Sequence, residues 1–175
     1  MTDDSAVEAM PAAAIERRDD IDRLVAVTWQ GAGAGHGMGH SIGHNCWLVA
    51  VDGSECSLRA VSMAARLTAL DPDTGVDVVY VQPWLVKEAA ETDFARRGWA
   101  ATAKARQLLD AAAVRWRVHV LMGEAAAQII AMTETPGTRG VVVGSHGLSV
   151  AQSLLLGSVA YSVAHRVTVP VMIVR

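Results

Sequence analysis

Cysteine is scarce in this chain, which excludes the frameworks that are built from it. Only Cys46 and Cys56 occur among 175 residues, and they are not arranged as C-x-x-C. Two thiols at this spacing form neither a recognisable zinc site nor the disulfide network of a small secreted fold. A chain of this length also needs no such staple, because it can bury roughly two-thirds of its unfolded surface. We therefore expect two reduced thiols in a cytosolic protein.

Lysine and long hydrophobic runs are also lacking. The chain has only two lysines, Lys87 and Lys104, and its formal net charge is −3, whereas a general nucleic-acid-binding protein shows a basic face. No apolar run reaches the ~18 residues that a membrane-spanning helix needs. The first residues, MTDDSAVEAMP, are acidic and unlike a secretory signal. These absences predict a cytoplasmic protein that neither binds nucleic acid nor inserts into a membrane.

Residues 1–44 differ in composition from the rest of the chain. A helix is predicted over residues 12–27, followed by the stretch GAGAGHGMGHSIGH. Glycine at this density costs backbone entropy in any regular element, so we interpret the stretch as a flexible linker. Its glycines also argue against a helical metal site on the histidines that recur every four residues, which are His36, His40 and His44. We predict an N-terminal extension at 1–44 and one globular domain at 45–175.

Residues 45–175 alternate between short apolar runs and amphipathic stretches. The runs that predict strands are residues 46–53, 76–83, 116–123, 140–144 and 169–174. The stretches that predict helices are residues 54–70, 87–113, 124–134 and 158–166. Gly98 can interrupt the second of these helices. Regular β-α alternation implies a parallel sheet with helices on both faces. We predict an α/β, Rossmann-like fold with a doubly wound, five-stranded parallel sheet in strand order 3-2-1-4-5.

Two of the predicted strands end in residues suited to ligand binding. In this strand order the first and fourth strands are neighbours, so Asp52 and Gly144 flank the crevice where such sheets bind ligands. Gly144 begins a Gly-x-x-Gly-x9-Gly-Ser pattern that continues through Gly147 to Gly157 and Ser158. The first two glycines let the backbone approach a ligand closely, and N–H groups exposed in such a turn bind anions. Ser158 opens a helix whose first N–H groups are unpaired and can hold a phosphate.

Each of these features also has a simpler explanation. Strand-to-helix turns commonly use glycine, Ser158 can be only a helix cap, and Asp52 can be only a turn residue. Their joint occurrence at two strand ends that should meet favours a nucleotide site. The Asp52 carboxylate would suit a base or ribose better than a phosphate. Val81, at the end of the second strand, would offer an apolar wall for a purine.

Four blocks of this sequence resemble the universal stress protein family: VAVDGSECSLRAVSMAARL, VVYVQP, VLMGEAAAQII and VVVGSHGLSVAQSLLLGSVAYSVAHRVTVPVMIVR. The resemblance covers about residues 45–175, and Gly-x-x-Gly-x9-Gly-[Ser/Thr] is the hallmark of the ATP-binding branch of the family. It implies ATP as the ligand, with Mg²⁺ or Mn²⁺ as an accompanying ion. It also implies a homodimer, often built through the last strand, here PVMIV.

The resemblance assigns roles to individual residues. Adenine would be contacted by Ala50, Val51, Asp52 and Val81. The ribose and phosphates would be held by Val143, Gly144, Gly147, Gly157, Ser158 and Val159. His146, inside the loop, is either a further contact to a phosphate or sugar, or a polar turn residue. The loop LSVAQSLLL carries no charge, where relatives often have a basic or polar residue, so phosphate charge would depend more on backbone N–H groups and a divalent ion.

Hydrolytic machinery is not evident in the sequence. No Walker lysine follows the glycines, and no paired base and nucleophile is visible. We therefore expect a dimeric, nucleotide-responsive regulatory module of the stress response. Two alternatives stay open. One is a slow ATPase or autophosphorylating enzyme, as the resemblance implies, and the other is a dimerisation module that binds no nucleotide.

Overall fold

A computed structural model describes residues 10–31, 45–148 and 156–175 of the chain. The strands in these ranges are β1 (Ile15–Arg18), β2 (Leu24–Gln30), β3 (Cys46–Ala50), β4 (Gly75–Gln82), β5 (Trp116–Met122), β6 (Thr138–Gly144) and β7 (Val171–Val174). The helices are α1 (Glu55–Thr68), α2 (Lys87–Ala89), α3 (Ala95–Ala101), α4 (Ala103–Ala111), α5 (Ala125–Thr133) and α6 (Ser158–Arg166). A π-helical turn, Ala90–Phe94, joins α2 to α3.

All of these strands form one sheet in the order β1-β2-β5-β4-β3-β6-β7. The strands from β3 to β7 run parallel to one another, whereas β2 pairs antiparallel with both β1 and β5. The prediction of a five-stranded parallel sheet in order 3-2-1-4-5 is therefore wrong. The fold is α/β and Rossmann-like, but its sheet has seven strands and is mixed.

The error lies in residues 12–27, where the sequence predicts a helix and the structure has a β-hairpin. The carboxylate of Asp19 holds the turn, because it accepts hydrogen bonds from the backbone N–H groups of Ile21 (3.2 Å) and Arg23 (2.9 Å). Asp22 adopts a left-handed backbone conformation (φ 58°), which aspartate tolerates better than most residues. The β2 sequence, LVAVTWQ, is rich in the β-branched and aromatic residues that favour a sheet.

Helices cover both faces of the sheet. On one face, α1, α3 and α4 pack over a core that includes Val27, Val78 and Leu109. On the other face, α5 and α6 pack over a smaller core that includes Val79 and Ile129. All five side chains are buried. Val78 and Val79 belong to opposite cores because successive residues of a strand point to opposite faces.

The helix predicted over residues 87–113 is interrupted, although not at Gly98, which lies within α3. The π-helical turn Ala90–Phe94 follows α2, and Thr102 separates α3 from α4 with a non-helical backbone conformation (φ −95°, ψ 1°). The hydroxyl of Thr102 donates to the carbonyl of Gly98 at 2.9 Å. A threonine that bonds back to the preceding turn in this way competes with the helical hydrogen bonds and bends a helix.

A buried polar cluster lies on the face of the sheet that α5 covers. The guanidinium of Arg117 donates two hydrogen bonds of 2.8 Å to the carboxylate of Asp77, its partner on the neighbouring strand. The thiol of Cys46 donates to the same carboxylate at 3.0 Å, and Nε2 of His119 lies 3.6 Å from it. His119 Nδ1 is 3.0 Å from the hydroxyl of Thr28 on β2. The cluster therefore connects four strands, β2 to β5 to β4 to β3.

Burial and charge act in opposite directions on Asp77. Burial raises the pKa of its carboxyl group, but the nearby imidazole of His119 and guanidinium of Arg117 outweigh burial and hold that pKa well below its usual range. The pKa of the Cys46 thiol is raised, first by burial and then by the adjacent carboxylate. At neutral pH, Asp77 is therefore ionised and Cys46 is a thiol.

Candidate functional site

The carboxyl ends of β3 and β6 open into a cavity of about 260 Å³. The two strands are parallel neighbours that pair Leu48 with Val141 and Val49 with Val142. Asp52 follows the end of β3, and the loop after β6 begins at the cavity. Open α/β sheets bind their ligands at this kind of position, where neighbouring connections leave the sheet on opposite faces.

The structure brings all of the sequence-predicted site residues to the wall of this cavity. They are Ala50, Val51, Asp52, Val81, Val143, Gly144, His146, Gly147, Gly157, Ser158 and Val159. Further wall residues that the sequence does not single out are Ser57, Val79, Ala125, Ile129, Ser145, Leu148 and Ala160. One of them has a signal in the pattern, because Val79 lies two residues before Val81 and so on the same face of β4. Ala125 and Ile129 line the cavity because α5 packs against this part of the sheet. The local sequence of α5 does not predict that packing.

Backbone N–H groups hold the carboxylate of Asp52 at the edge of the cavity. Oδ1 accepts a hydrogen bond from the N–H of Ser54 at 3.0 Å, and Oδ2 accepts one from the N–H of Leu148 at 3.1 Å. The Ser54 hydroxyl donates to the carbonyl of His146 at 3.4 Å. Since Leu148 and His146 follow β6, these bonds tie the loop after β6 to the loop after β3.

The pKa of Asp52 is lowered. Partial burial acts to raise it, but hydrogen bonds from Ser54, Ser57 and Leu148 outweigh that effect. Each bond favours the ionised form, because a carboxylate accepts hydrogen bonds more strongly than a carboxylic acid does. An ionised carboxylate has about four acceptor positions, so Asp52 keeps capacity for a donor on a ligand.

Two glycines make the close approach of these loops possible. A Cβ atom on Gly147 would lie 2.5 Å from Oδ2 of Asp52. On Gly144 it would lie 2.8 Å from backbone atoms of Cys56 and Ser57, at the start of α1. Contacts this short require movement of the backbone or of the carboxylate, so a larger residue at either position would displace the loop from the cavity wall.

The amino-terminal end of α6 supplies hydrogen-bond donors. Gly157 caps the helix with an extended backbone (φ −63°, ψ 152°), and its N–H donates to the carbonyl of Ser145 at 2.8 Å. The N–H groups of Ser158, Val159 and Ala160 are the first of the helix and have no acceptor within it. With the positive end of the helix dipole, they favour a negatively charged group. The predicted loop between Gly147 and Gly157 includes residues 149–155, which lie outside the described part of the chain.

The rest of the cavity wall is largely apolar. Ala50, Val79 and Val81 contribute to it from the sheet, and Ile129 contributes from α5. The cavity therefore combines an apolar wall, a carboxylate acceptor and a set of N–H donors. This combination suits a molecule with a flat apolar part, a donor group and an anionic end.

Groups for catalysis or metal binding are few in the described residues. The hydroxyl of Ser145 and Nδ1 of His146 lie 3.0 Å apart, within hydrogen-bond distance. No group of three or more His, Cys, Asp or Glu side chains in residues 10–31, 45–148 and 156–175 is placed to hold a metal ion. The histidines of the predicted linker, His36, His40 and His44, lie outside these ranges. In the same ranges, no helix has the length and apolar character needed to cross a membrane.

The sequence model of the universal stress protein family matches residues 47–175. The chain belongs to the universal stress protein family. A curated relative, universal stress protein YxiE of Bacillus subtilis, is 27% identical over 147 residues, which are 75% of this chain and 99% of the relative. The hairpin β1–β2 precedes the part of this universal stress protein that matches the family.

Solved structures of universal stress proteins share the fold. One, in complex with cAMP, is 26% identical, with a TM-score of 0.56 over 76% of this chain and 98% of its own. Another, from Archaeoglobus fulgidus in complex with dAMP, is 20% identical, with a TM-score of 0.58 over 77% of this chain and 99% of its own.

Proposed function

We propose that this universal stress protein belongs to the ATP-binding branch of the family and binds ATP in the cavity at the ends of β3 and β6. The observation that carries the proposal is the presence of two unlike surfaces in one cavity, the Asp52 carboxylate and the N–H groups that open α6. A nucleotide offers donors on its base and ribose and an anion on its phosphates, so it complements both surfaces. Relatives in complex with cAMP and dAMP support an adenine nucleotide as the ligand class.

The wall residues suggest how the nucleotide would be oriented. Asp52 would accept from the base or the ribose, and the apolar wall formed with Ala50, Val51 and Val81 would cover the purine. Val143, Gly144 and Gly147 would lie along the ribose and the first phosphate, with His146 beside them. The outer phosphates would lie against Gly157 and would receive hydrogen bonds from the N–H groups of Ser158 and Val159 and from the hydroxyl of Ser158.

A divalent ion would accompany the phosphates. The loop LSVAQSLLL has no charged residue, so Mg²⁺ or Mn²⁺ would neutralise charge that the N–H groups leave. The described residues hold no cluster of metal ligands. The ion would therefore be coordinated mainly by phosphate oxygens and water, which is the usual arrangement for Mg²⁺ in nucleotide sites.

The role that we infer is regulatory, in a stress response in the cytoplasm. Partner proteins would distinguish the nucleotide-bound form from the free form. Analysis of the nucleotide that stays bound through purification separates this role from its alternatives. Retained ATP supports a stable binder, retained ADP supports a slow ATPase, and no nucleotide supports a dimerisation module.

Gly157→Asp tests the phosphate end of the cavity. We expect a loss of ATP affinity of more than about 100-fold, because a carboxylate at the helix start repels phosphates and competes for the same N–H groups. The matched control is Leu70→Asp, which adds the same charge at a side chain that is 83% exposed and does not line the cavity. Isothermal titration calorimetry measures affinity, and circular dichroism verifies the fold.

Three outcomes contradict the nucleotide proposal. One is tight ATP binding by folded Gly157→Asp, since the phosphates would then lie elsewhere. Another is an equal loss in Leu70→Asp, which would mean that overall charge, and not the position of α6, controls affinity. ATP binding to the unsubstituted protein with a stoichiometry far below one per chain would also contradict it.

We further propose that two copies associate through β7, within a nucleotide-binding unit formed by residues 45–175. β7 lies at an edge of the sheet and has no charged residue, and Ile173 on it is 39% exposed. Edge strands with free backbone groups pair readily with a second strand. Light scattering checks this, with an expected mass of about twice the 18.5 kDa of one chain.

A further inference from the structure

The hairpin β1–β2 extends the sheet beyond β5. Some of its side chains point to the face of the sheet that α5 covers. Pairing aligns Arg17 with Ala26, and Ala26 with Leu121, so these residues form one row across β1, β2 and β5. Side chains directly opposite each other in a sheet point to the same face. Leu121 and Ala26 belong to the core that also contains Ile129 of α5. The row therefore faces the side on which α5 lies.

A second cavity, of about 270 Å³, lies between this row and α5. Ala26 and Leu121 line it from the sheet, and Ala131 and Met132 line it from α5. Ala26 is the smallest side chain of the row, and its size leaves space between its two neighbours. The volume is close to the ~300 Å³ at which small-molecule sites begin. The cavity is therefore large enough for a small molecule, and these four residues give it an apolar surface.

Three polar side chains, Arg17, Thr28 and Gln128, also line this cavity, and the hydroxyl of Thr28 already bonds to Nδ1 of His119. The other arginines of the hairpin hold carboxylates, Arg18 at 2.6 Å and Arg23 at 2.8 Å. Among the described residues, Arg17 has neither an ion pair nor a hydrogen bond through its side chain. A guanidinium without a partner, beside apolar surface, complements a carboxylate that is attached to hydrocarbon.

We propose that this second cavity binds an amphipathic monocarboxylate, the chemical class of a medium-chain fatty acid. The carboxylate accepts hydrogen bonds from Arg17 and the amide of Gln128, and the hydrocarbon covers Ala26, Leu121 and Met132. A polyphosphate is disfavoured because the cavity offers one cation and mostly apolar contacts. An amine is disfavoured because it would face Arg17. The site shares no lining residue with the nucleotide cavity. It is formed by the hairpin, which precedes the family match, together with β5 and α5.

Octanoate is the probe for this site, and ¹⁵N–¹H NMR titration of the full chain is the measurement. We expect saturable shifts at Arg17, Ala26, Leu121 and Gln128, with a dissociation constant below about 1 mM. Octylamine, with the same chain and the opposite charge, should give no saturable shifts at these positions. The proposal is overturned if octanoate gives none while it is still monomeric in solution, or if octylamine binds equally well.

Two variants locate the site. Ala26→Leu fills the space over the row and should abolish saturable octanoate binding. Arg17→Gln should weaken binding about tenfold through loss of the charge-assisted bond, whereas Arg66→Gln, which removes an exposed arginine of α1, should leave it unchanged. If Ala26→Leu does not fold, the exposed Arg17→Gln decides alone. Unchanged octanoate affinity in Arg17→Gln overturns the proposal. This result is independent of whether the protein binds ATP.

Discussion

Asp52 and Asp77 show how two aspartates with lowered pKa values serve different ends. Asp77 is 1% exposed, and its partners are the side chains of Arg117, Cys46 and His119. Asp52 is partly buried, and its charge is stabilised mainly by hydrogen bonds from the loops around it. The first carboxylate is enclosed by its partners, whereas the second borders a cavity.

A lowered pKa alone therefore does not identify a binding residue. At Asp77 the low pKa reflects an ion pair that the fold has closed off from any ligand. At Asp52 the N–H groups of Ser54 and Leu148 occupy one acceptor position on each oxygen, and space remains on the cavity side. Asp77 should therefore control stability, and Asp52 should control ligand affinity.

Asp77→Ala should lower the stability of the fold more than any other substitution considered. It leaves the guanidinium of Arg117, which is 3% exposed, buried without its carboxylate, and removal of one partner from a buried pair costs about 3–5 kcal/mol. We expect the free energy of unfolding to fall by that amount, measured by urea denaturation. Glu55→Ala is the control, because the carboxylate of Glu55 is 90% exposed and its pair with Arg59 is 3.4 Å long.

Glu55→Ala should change the free energy of unfolding by less than about 1 kcal/mol, as is usual for an exposed pair. A comparable loss of unfolding free energy in both variants would show that the buried cluster around Asp77 stabilises the fold no more than an exposed ion pair does. Asp77 does not line the nucleotide cavity. Reduced ATP affinity in Asp77→Ala, measured where the variant is still folded, would therefore contradict a role for Asp77 in stability alone.

Asp52→Asn should have a smaller effect on stability and a clear effect on the ligand. The amide keeps the size of the side chain but loses the charge that strengthens a hydrogen bond from the nucleotide. We expect ATP affinity to fall roughly 10- to 100-fold, measured by calorimetry. Asp93→Asn, on the ion pairs with Arg96 and Arg97, is the control and should bind ATP normally. Normal ATP affinity in Asp52→Asn would remove Asp52 from the proposed site.

The smallest effect is in the acid dependence of stability. The folded-state pKa of Asp77 is lowered, so its contribution is fully present above the unfolded pKa of about 4 and is lost as pH falls from there towards the folded value. The stability difference between the natural protein and Asp77→Asn should therefore be constant from pH 7 to 5. Below about pH 4 it should shrink by up to ~1.4 kcal/mol per pH unit. A constant difference down to pH 3 would contradict the lowered pKa.

The parallel strands could be predicted from the sequence because each is a short apolar run of its own. GVVVG, which ends at Gly144, and CWLVA, shortly before Asp52, have the pattern of strands that are covered on both faces. Since neighbouring parallel strands end at the same edge of a sheet, the two loops that form the cavity could also be predicted to meet. The contribution of α5 to the cavity wall could not be predicted, because it depends on how that helix packs against the sheet.

The hairpin could not be predicted, because what holds it is distant in the chain. Thr28 of β2 lies 91 residues from His119, with which it bonds on β5. Locally, the alanines and alternating charges of residues 12–23 are equally compatible with a helix. The same limit applies to Asp77 and Arg117, which are 40 residues apart. In the sequence, Asp77 and Arg117 each have the position of an exposed polar residue in an alternating strand. Only the pairing of β4 with β5 shows that they form a buried ion pair.

The two ends of the seven-stranded sheet differ in a way that limits how many copies can join. β1, with the sequence IERR, is exposed and three of its four residues are charged, whereas β7, with the sequence VMIV, has no charge. A charged border discourages strand addition, and an uncharged one permits it. Copies that meet at β7 would present only their IERR borders outwards, so growth would stop at a closed pair and would not continue into a fibre.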